Sequence, residues 1–172
     1  MKIFLRPINE SDGPIIVRWR NDQEVLNHCL DKTHITEESN LAFYKANVLT
    51  GKYKQYIVEC LDETTGVCSY PIATVYLKDM DYGNKRCELC IFTSSDLEWT
   101  PEGQTIAIEQ LTKKAFEEFG MHKVYSYVFK KYPGEIKLLA DAGYTIEAEL
   151  KGEAMNDKGL FEDIIRMSIV MP

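Results

Sequence analysis

Apolar and polar residues change period several times along the chain, and each change marks an element. The opening "KIFLRPI" alternates and stops at a proline, which predicts a first strand. "NESDGPIIVRWRND" offers Ser11 or Asp12 as an N-cap and Pro14 in the first turn, predicting a short helix through Trp19. In "HITEESNLAFYKANVLTG", Thr36 caps, acids fill the first turn, and Leu41, Phe43, Tyr44, Val48 and Leu49 recur at helical spacing until Gly51. From Tyr53 to Thr93 the period falls to two: "KQYIVECL", "SYPIATVYLKD" and "RCELCIFT" are separated by the turn-rich "DETTG" and "DMDYGNK", the signature of an antiparallel meander. The period then lengthens again, with Ile108, Leu111, Ala115 and Phe119 on one face of a long helix that ends at Gly120. "HKVYSYVF" is a strand and "GEIKLLADAGY" a short helix stopped by Gly143. "TIEAELKG" and "FEDIIRMSIV" form a closing strand pair.

A strand, the long helix and a further strand in succession require a parallel pair, whereas the meander before them is antiparallel. The fold class is therefore α/β of the α+β kind: a mixed, mostly antiparallel, twisted sheet of about six or seven strands with flanking helices. The length of 172 residues fits one domain over 1–172 with a single core. Apolar residues at 45% and charged residues at 27% exclude disordered and fibrous classes. The net charge of −7, with lysine and arginine dispersed, argues against a nucleic-acid surface and for tolerance of cationic small substrates. No apolar run approaches a membrane span, and Met1 leads straight into the first strand, so a cytoplasmic protein is expected. Cys29, Cys60, Cys68, Cys87 and Cys90 read as reduced thiols. The "CELC" pair lies in a strand, where an odd separation puts its side chains on opposite faces, so no metal site is expected.

Chemistry concentrates where "LEWTPEGQT" enters the long helix. A helix N-terminus carries free N–H groups and partial positive charge, so this turn is either an anion site or simply a helix capped by Thr100 or Thr105. The first helices gather Trp19, Arg20, Asn21, Asp22 and His28, able to wall a pocket or to pack on the core.

Taken in order, "LRPINESD", "WRND", "IATVYLKDMDYGNKRCELCIF", "AIEQLTKKAFEEFGMHKVYSYVF" and "LLADAGYTIEAELKGEAMNDKGLFEDIIRMSIV" resemble the GNAT superfamily of acyl-CoA-dependent N-acetyltransferases, in the branch of the RimJ and RimL ribosomal-protein enzymes and the spermidine acetyltransferases. The resemblance covers nearly the whole chain. It implies a central parallel pair splayed by a bulge, acetyl-CoA as co-substrate, no metal, and a small-molecule amine or protein N-terminus as acceptor, with no nucleic-acid or membrane partner. A homodimer is expected because relatives often form one. Thr100, Glu102, Gly103, Gln104 and Thr105 would hold the coenzyme's pyrophosphate, and Ile91, Phe92 and Thr93 would line its arm. Glu88 would be the general base and Tyr132 the first candidate to protonate sulfur, with Tyr127 or solvent behind it. Trp19, Asn21 and His28 would contact the acceptor, which is an amino sugar, a polyamine or a protein N-terminus.

The chain departs from the family's pattern at named places. Thr100 stands for Gln or Arg and Thr105 for the second glycine of the phosphate turn. Tyr132 and Leu139 occupy the places of the cofactor-contacting asparagine and the proton-donating tyrosine, and leucine cannot donate a proton. These departures raise an alternative: a GNAT-fold domain impaired in catalysis that binds acyl-CoA or acts as a regulatory or scaffolding protein.

Overall fold

A computed structural model describes residues 1–172. Strand β1 (Ile3–Pro7) is followed by a 3-10 turn (Glu10–Asp12) and three short helices, α1 (Gly13–Arg20), α2 (Gln23–Asn27) and α3 (Glu37–Phe43), the last running on into a π-turn (Tyr44–Val48). The meander is β2 (Lys54–Leu61), β3 (Ser69–Asp81) and β4 (Arg86–Thr93). Then come α4 (Pro101–Glu117), β5 (Lys123–Phe129), α5 (Pro133–Asp141), β6 (Thr145–Met155) and β7 (Phe161–Val170). The strands form one seven-stranded sheet in the order β1-β2-β3-β4-β5-β7-β6, with β4 and β5 parallel and every other pair antiparallel. No helix is long and apolar enough to cross a membrane.

Local chemistry explains most boundaries. Thr36 caps α3 in a reciprocal box with Ser39, and Thr100 caps α4 by accepting from the Gly103 amide at 3.3 Å. Gly120 ends the α4 turn at φ +67°, a conformation that would strain a side chain. The first helical segment is capped differently from the sequence expectation. Neither Ser11 nor Asp12 caps α1; Asn9 accepts from the Ser11 amide and caps the 3-10 turn. The Asp12 carboxylate is instead held by a bidentate contact from Arg6, both distances 2.8 Å, and Arg6 also reaches Glu59 at 2.8 Å. This cluster ties β1, β2 and the start of α1 together.

Side-chain alternation along β2 shows how the sheet is covered. Tyr56, Val58 and Cys60 face the main core, which includes Ile108, Leu111 and Ala115 of α4, while Ile57 points the other way onto Ile16 and Trp19 of α1. Helix α4 therefore covers one face and α1 the other.

The feature that matters most for function is the β4–β5 joint. Backbone pairing runs only from Arg86↔Lys123 to Glu88↔Tyr125, with a further bond from Ser126 Oγ to the Leu89 carbonyl at 2.8 Å. Beyond it the two strands part. On the other side of β4 the register to β3 slips between Tyr76↔Cys90 and Thr74↔Thr93, so that an extra β4 residue bulges. The bulge turns Ile91–Thr93 away from β5 and leaves the β5-facing backbone of that stretch unpaired.

Candidate active site

Two cavities meet at the splay. A groove of about 740 Å3 runs between the mouths of α4 and α5, lined among others by Phe92, Trp99, Gln104, Thr105, Tyr132 and Lys137. A smaller pocket of about 100 Å3, bounded by Arg20, Asp31, Tyr76, Lys78, Glu88 and Tyr127, lies against β3, β4 and β5. His28 and Phe92 line both. A molecule lying in the groove and another entering the pocket would thus come together at these two side chains.

Glu88 sits where the β4–β5 pairing ends. Its carboxylate is buried, with Lys78 Nζ at 3.7 Å from Oε2 and the Cys90 thiol donating to Oε1 at 3.7 Å. Burial raises its pKa above the ordinary carboxylate value, more than the Lys78 charge offsets. A carboxylate displaced upward and facing a pocket is a better proton acceptor than an ordinary one. Desolvation pushes the neighbouring Cys90 and Cys87 thiols up strongly, so neither offers a thiolate nucleophile.

Tyr132 precedes α5 and lays its ring on His28, centroids 4.0 Å apart. His28 ends α2, with Nδ1 in close contact with Oε1 of the buried Glu135. Phe92 lines the groove as well as the pocket. Ile91 and Thr93 are both buried and line the pocket only.

The mouth of α4 differs from what the motif implied. Glu102, Gln104 and Thr105 line the groove, but Gly103 and Thr100 do not. A Cβ on Gly103 would meet Met1 Sδ at 2.9 Å, so the missing side chain makes room for that of Met1. The Gly103 amide is taken by Thr100, that of Gln104 donates to the Thr100 carbonyl at 2.9 Å, and Pro101 has none. Only the Glu102 amide is left free there. Gln104 Nε2 donates to the Trp99 carbonyl and Thr105 Oγ1 to that of Pro101, so both side chains are engaged within the chain. The groove nevertheless has polar handles. Trp99 buries its indole Nε1 without a partner, and Lys137 lines the groove from α5, paired with Asp141 at 2.5 Å. With Phe92 and the unpaired β4 backbone at the junction with the pocket, these offer donors to a long hydrogen-bonding ligand, although Glu24, Glu102, Glu135 and Asp141 also line the groove.

Two expected acceptor contacts lie elsewhere. Trp19 is 1% exposed and packed with Ile16 and Ile57, because it falls on the inward face of α1. Asn21 spends its amide on the Ile35 backbone, donating to O at 2.7 Å and accepting from N at 2.8 Å, and so fastens the loop before α3. The structure keeps Arg20, one of the residues the sequence gathers there, and adds Lys78, Trp99 and Glu135. Lys78 had a signal in the sequence, standing two residues beyond Tyr76 and hence on the same face of β3. Glu135 had none, since an acid in the first turn of a helix is ordinary.

The Glu102 carboxylate opposes an anion at the mouth, and a Met1 ammonium 3.4 Å away only partly offsets it. Glu102→Gln should tighten coenzyme A binding roughly two- to fivefold, the scale of a charge at a helix end; calorimetry would measure it, and an unchanged Kd would place the anion elsewhere.

The comparisons with known proteins agree with this geometry. The model of the acetyltransferase (GNAT) domain matches residues 2–145. Acetyltransferase PseH of Campylobacter jejuni is 26% identical over 144 residues, which is 84% of this chain and 83% of that protein. Among solved structures, the spermidine N-acetyltransferase of Vibrio cholerae in complex with CoA and spermine superposes with a TM-score of 0.83 at 20% identity, covering 98% of this chain and 95% of that one. A chimera of the same Vibrio cholerae enzyme, SpeG, with hSSAT reaches 0.84 at 19%, covering 99% and 96%. The matched domain spans the splayed joint and both cavities, and the chain belongs to the GNAT family of acetyltransferases, which transfer an acetyl group from acetyl-CoA to an amine.

Proposed function

We propose that the chain is a single-domain N-acetyltransferase in which Glu88 deprotonates the acceptor amine and the amine attacks the thioester directly, the acceptor being a primary amine whose neighbouring oxygen or anionic group is held by Arg20 and Lys78. The observation that carries this reading is the buried, upward-shifted Glu88 carboxylate in a pocket that opens onto the groove.

Bound in the groove, acetyl-CoA supplies an activated acetyl group. Its pyrophosphate would lie toward the Glu102 amide, with Lys137 having to exchange Asp141 for it, and its arm would run past Phe92 to the unpaired β4 backbone at the junction. The unpaired amides of that stretch are the donors available to an oxyanion. Phe92 walls off the junction. Glu88 takes a proton as the amine nitrogen forms its bond to carbon. The two thiols that line this pocket, Cys29 and Cys90, are both pushed up by burial, which leaves no ready thiolate for an acyl-enzyme route and favours direct attack.

Local charge narrows the acceptor. The overall charge of −7 suggested tolerance of polyamines, but the pocket presents Arg20 and Lys78 beside Asp31 and Glu88. Arg20 keeps Nη1 buried and unpartnered while Nη2 donates to the Asp31 carbonyl. A second ammonium group would meet two cations; a sugar hydroxyl, ring oxygen or phosphate would supply the missing acceptor. The pocket's 100 Å3 matches about three waters at ~30 Å3 each, so it admits the amine head and leaves the carrier outside. Of the candidate acceptors, an amino sugar fits best. A homodimer remains part of this proposal on the family resemblance.

The test is thiol release from acetyl-CoA with a panel of amino sugars, peptide N-termini and spermidine. Amino sugars should give the highest kcat/KM, and Arg20→Gln should raise KM for them about tenfold or more, the scale of a lost charged hydrogen bond. Preference for spermidine, or indifference to Arg20→Gln, would refute the acceptor assignment. Silence across the panel with tight CoA binding would favour a non-catalytic acyl-CoA-binding domain.

A further inference from the structure

Acyl transfer ends with a thiolate that must be protonated, and the position at which relatives carry a tyrosine for this is Leu139, wholly buried in the core. Tyr132 covers an imidazole with its ring. What the structure places at the junction of groove and pocket is His28, and behind it Glu135.

We propose that His28 and Glu135 form a one-proton relay in which His28 Nε2–H protonates the departing thiolate and Glu135 resupplies the ring through Nδ1. Both Glu135 oxygens are buried with no hydrogen-bond partner of ordinary geometry, and the carboxyl touches His28 Nδ1. The carboxyl and Nδ1 lie side by side, buried and with no other partner, and a proton shared between them would satisfy both. An isolated carboxylate buried here would be costly, which keeps that proton in place. The pair is then neutral overall, whether written as carboxylic acid with imidazole or as carboxylate with imidazolium. The His28 side chain is 27% exposed while Nδ1 is buried, so the edge open to the cavities is the one bearing Nε2.

The step balances. The amine N–C bond forms, the C–S bond breaks, and the electron pair leaves on sulfur. Nε2–H passes to sulfur as the shared proton moves from Glu135 to Nδ1. The products are amide, free thiol, neutral imidazole and a Glu135 carboxylate, while Glu88 holds the proton taken from the amine. Exchange with solvent discharges Glu88 and reloads Glu135. The charged groups that act on the ring are known: burial lowers its pKa first, Glu24 on its own helix raises it, and Lys131 and Lys32 lower it. Lys131 is itself paired with Glu162 at 2.7 Å, and Lys32 bonds the Leu26 and Cys29 carbonyls. Tyr132 packs on the ring face and Glu135 on its Nδ1 edge. The reaction draws the shared proton onto the ring.

This role rests on the acyl-transfer reading, and the test separates the two. In the parent enzyme kcat should fall on the alkaline side as the pair loses its proton. His28→Gln and Glu135→Gln should each lower kcat about 10²-fold with KM for acetyl-CoA held within about twofold, and Glu135→Gln should remove that alkaline limb. In the ligand-free protein, nitrogen NMR of the imidazole should show Nδ1 hydrogen-bonded to a carboxyl and that signature should vanish in Glu135→Gln. Parent-like kcat in both variants, a loss confined to KM, or identical imidazole spectra would overturn the relay while leaving acetyl transfer intact. A parent that releases no thiol with any amine would overturn the acyl-transfer reading and the relay with it.

Discussion

Glu88→Gln is expected to lose about 10²- to 10⁴-fold in kcat, some 2.7–5.5 kcal/mol of transition-state stabilisation, with coenzyme A affinity unchanged. The amide keeps the shape and the contact with Cys90 but cannot take a proton, and the groove is lined by other residues. In the parent, kcat/KM should fall as pH drops through the raised Glu88 pKa, because the protonated carboxyl is no base; this acid limb should vanish in the variant. Stability should move the opposite way. A carboxyl whose folded pKa exceeds its unfolded one supports the fold below its ordinary range and ceases to do so as pH rises through the folded value. Glu88→Gln should therefore melt higher than the parent at pH 8 and lose that advantage at pH 4. Parent-like turnover in the variant, or an undiminished acid limb, would remove Glu88 from the role of base.

Trp19→Ala should cost about 3–5 kcal/mol of stability, the range for deleting a large buried aromatic side chain. For a chain of this size that corresponds to a fall in Tm of roughly 6–20 °C. Trp19 closes the contact between α1 and the sheet at Ile16 and Ile57, and few other side chains are there to fill the gap. Trp19→Phe should lose less and leave KM for the amine unaltered. If the tryptophan touched the acceptor instead, Trp19→Phe would raise KM while Tm stayed put, so thermal melting and kinetics on the same two variants decide.

The contrast between these residues shows what could be read from sequence. Elements governed by local chemistry were legible: the cap at Thr36, the stops at Gly51, Gly120 and Gly143, and the period-two runs that became β2, β3 and β4, while of the two threonines offered for α4 the structure uses Thr100. The parallel pair followed from having one long helix between two strands. At the start of α1 several good caps crowd together, and tertiary contact chose among them, because Arg6 claimed Asp12 and left Asn9 to cap. Which way α1 turns its tryptophan was illegible, since packing on a sheet and lining a pocket favour the same residue type. Gly103 illustrates the same limit from the other side. A glycine near a helix mouth suits phosphate, yet its absent side chain here accommodates Met1. Pairings of high sequence separation were out of reach altogether, as with His28 and Glu135, which helix placement brings together.

The short joint between β4 and β5 divides the sheet into a four-stranded half and a three-stranded half, stitched by a few backbone bonds and by α4 lying over the seam. A rigid slab would make the coenzyme's berth a fixed slot. A seam this lightly sewn should let the halves breathe against each other, and a guest lodged in it should clasp them together, so that amide exchange throughout the sheet is expected to slow when one small molecule binds.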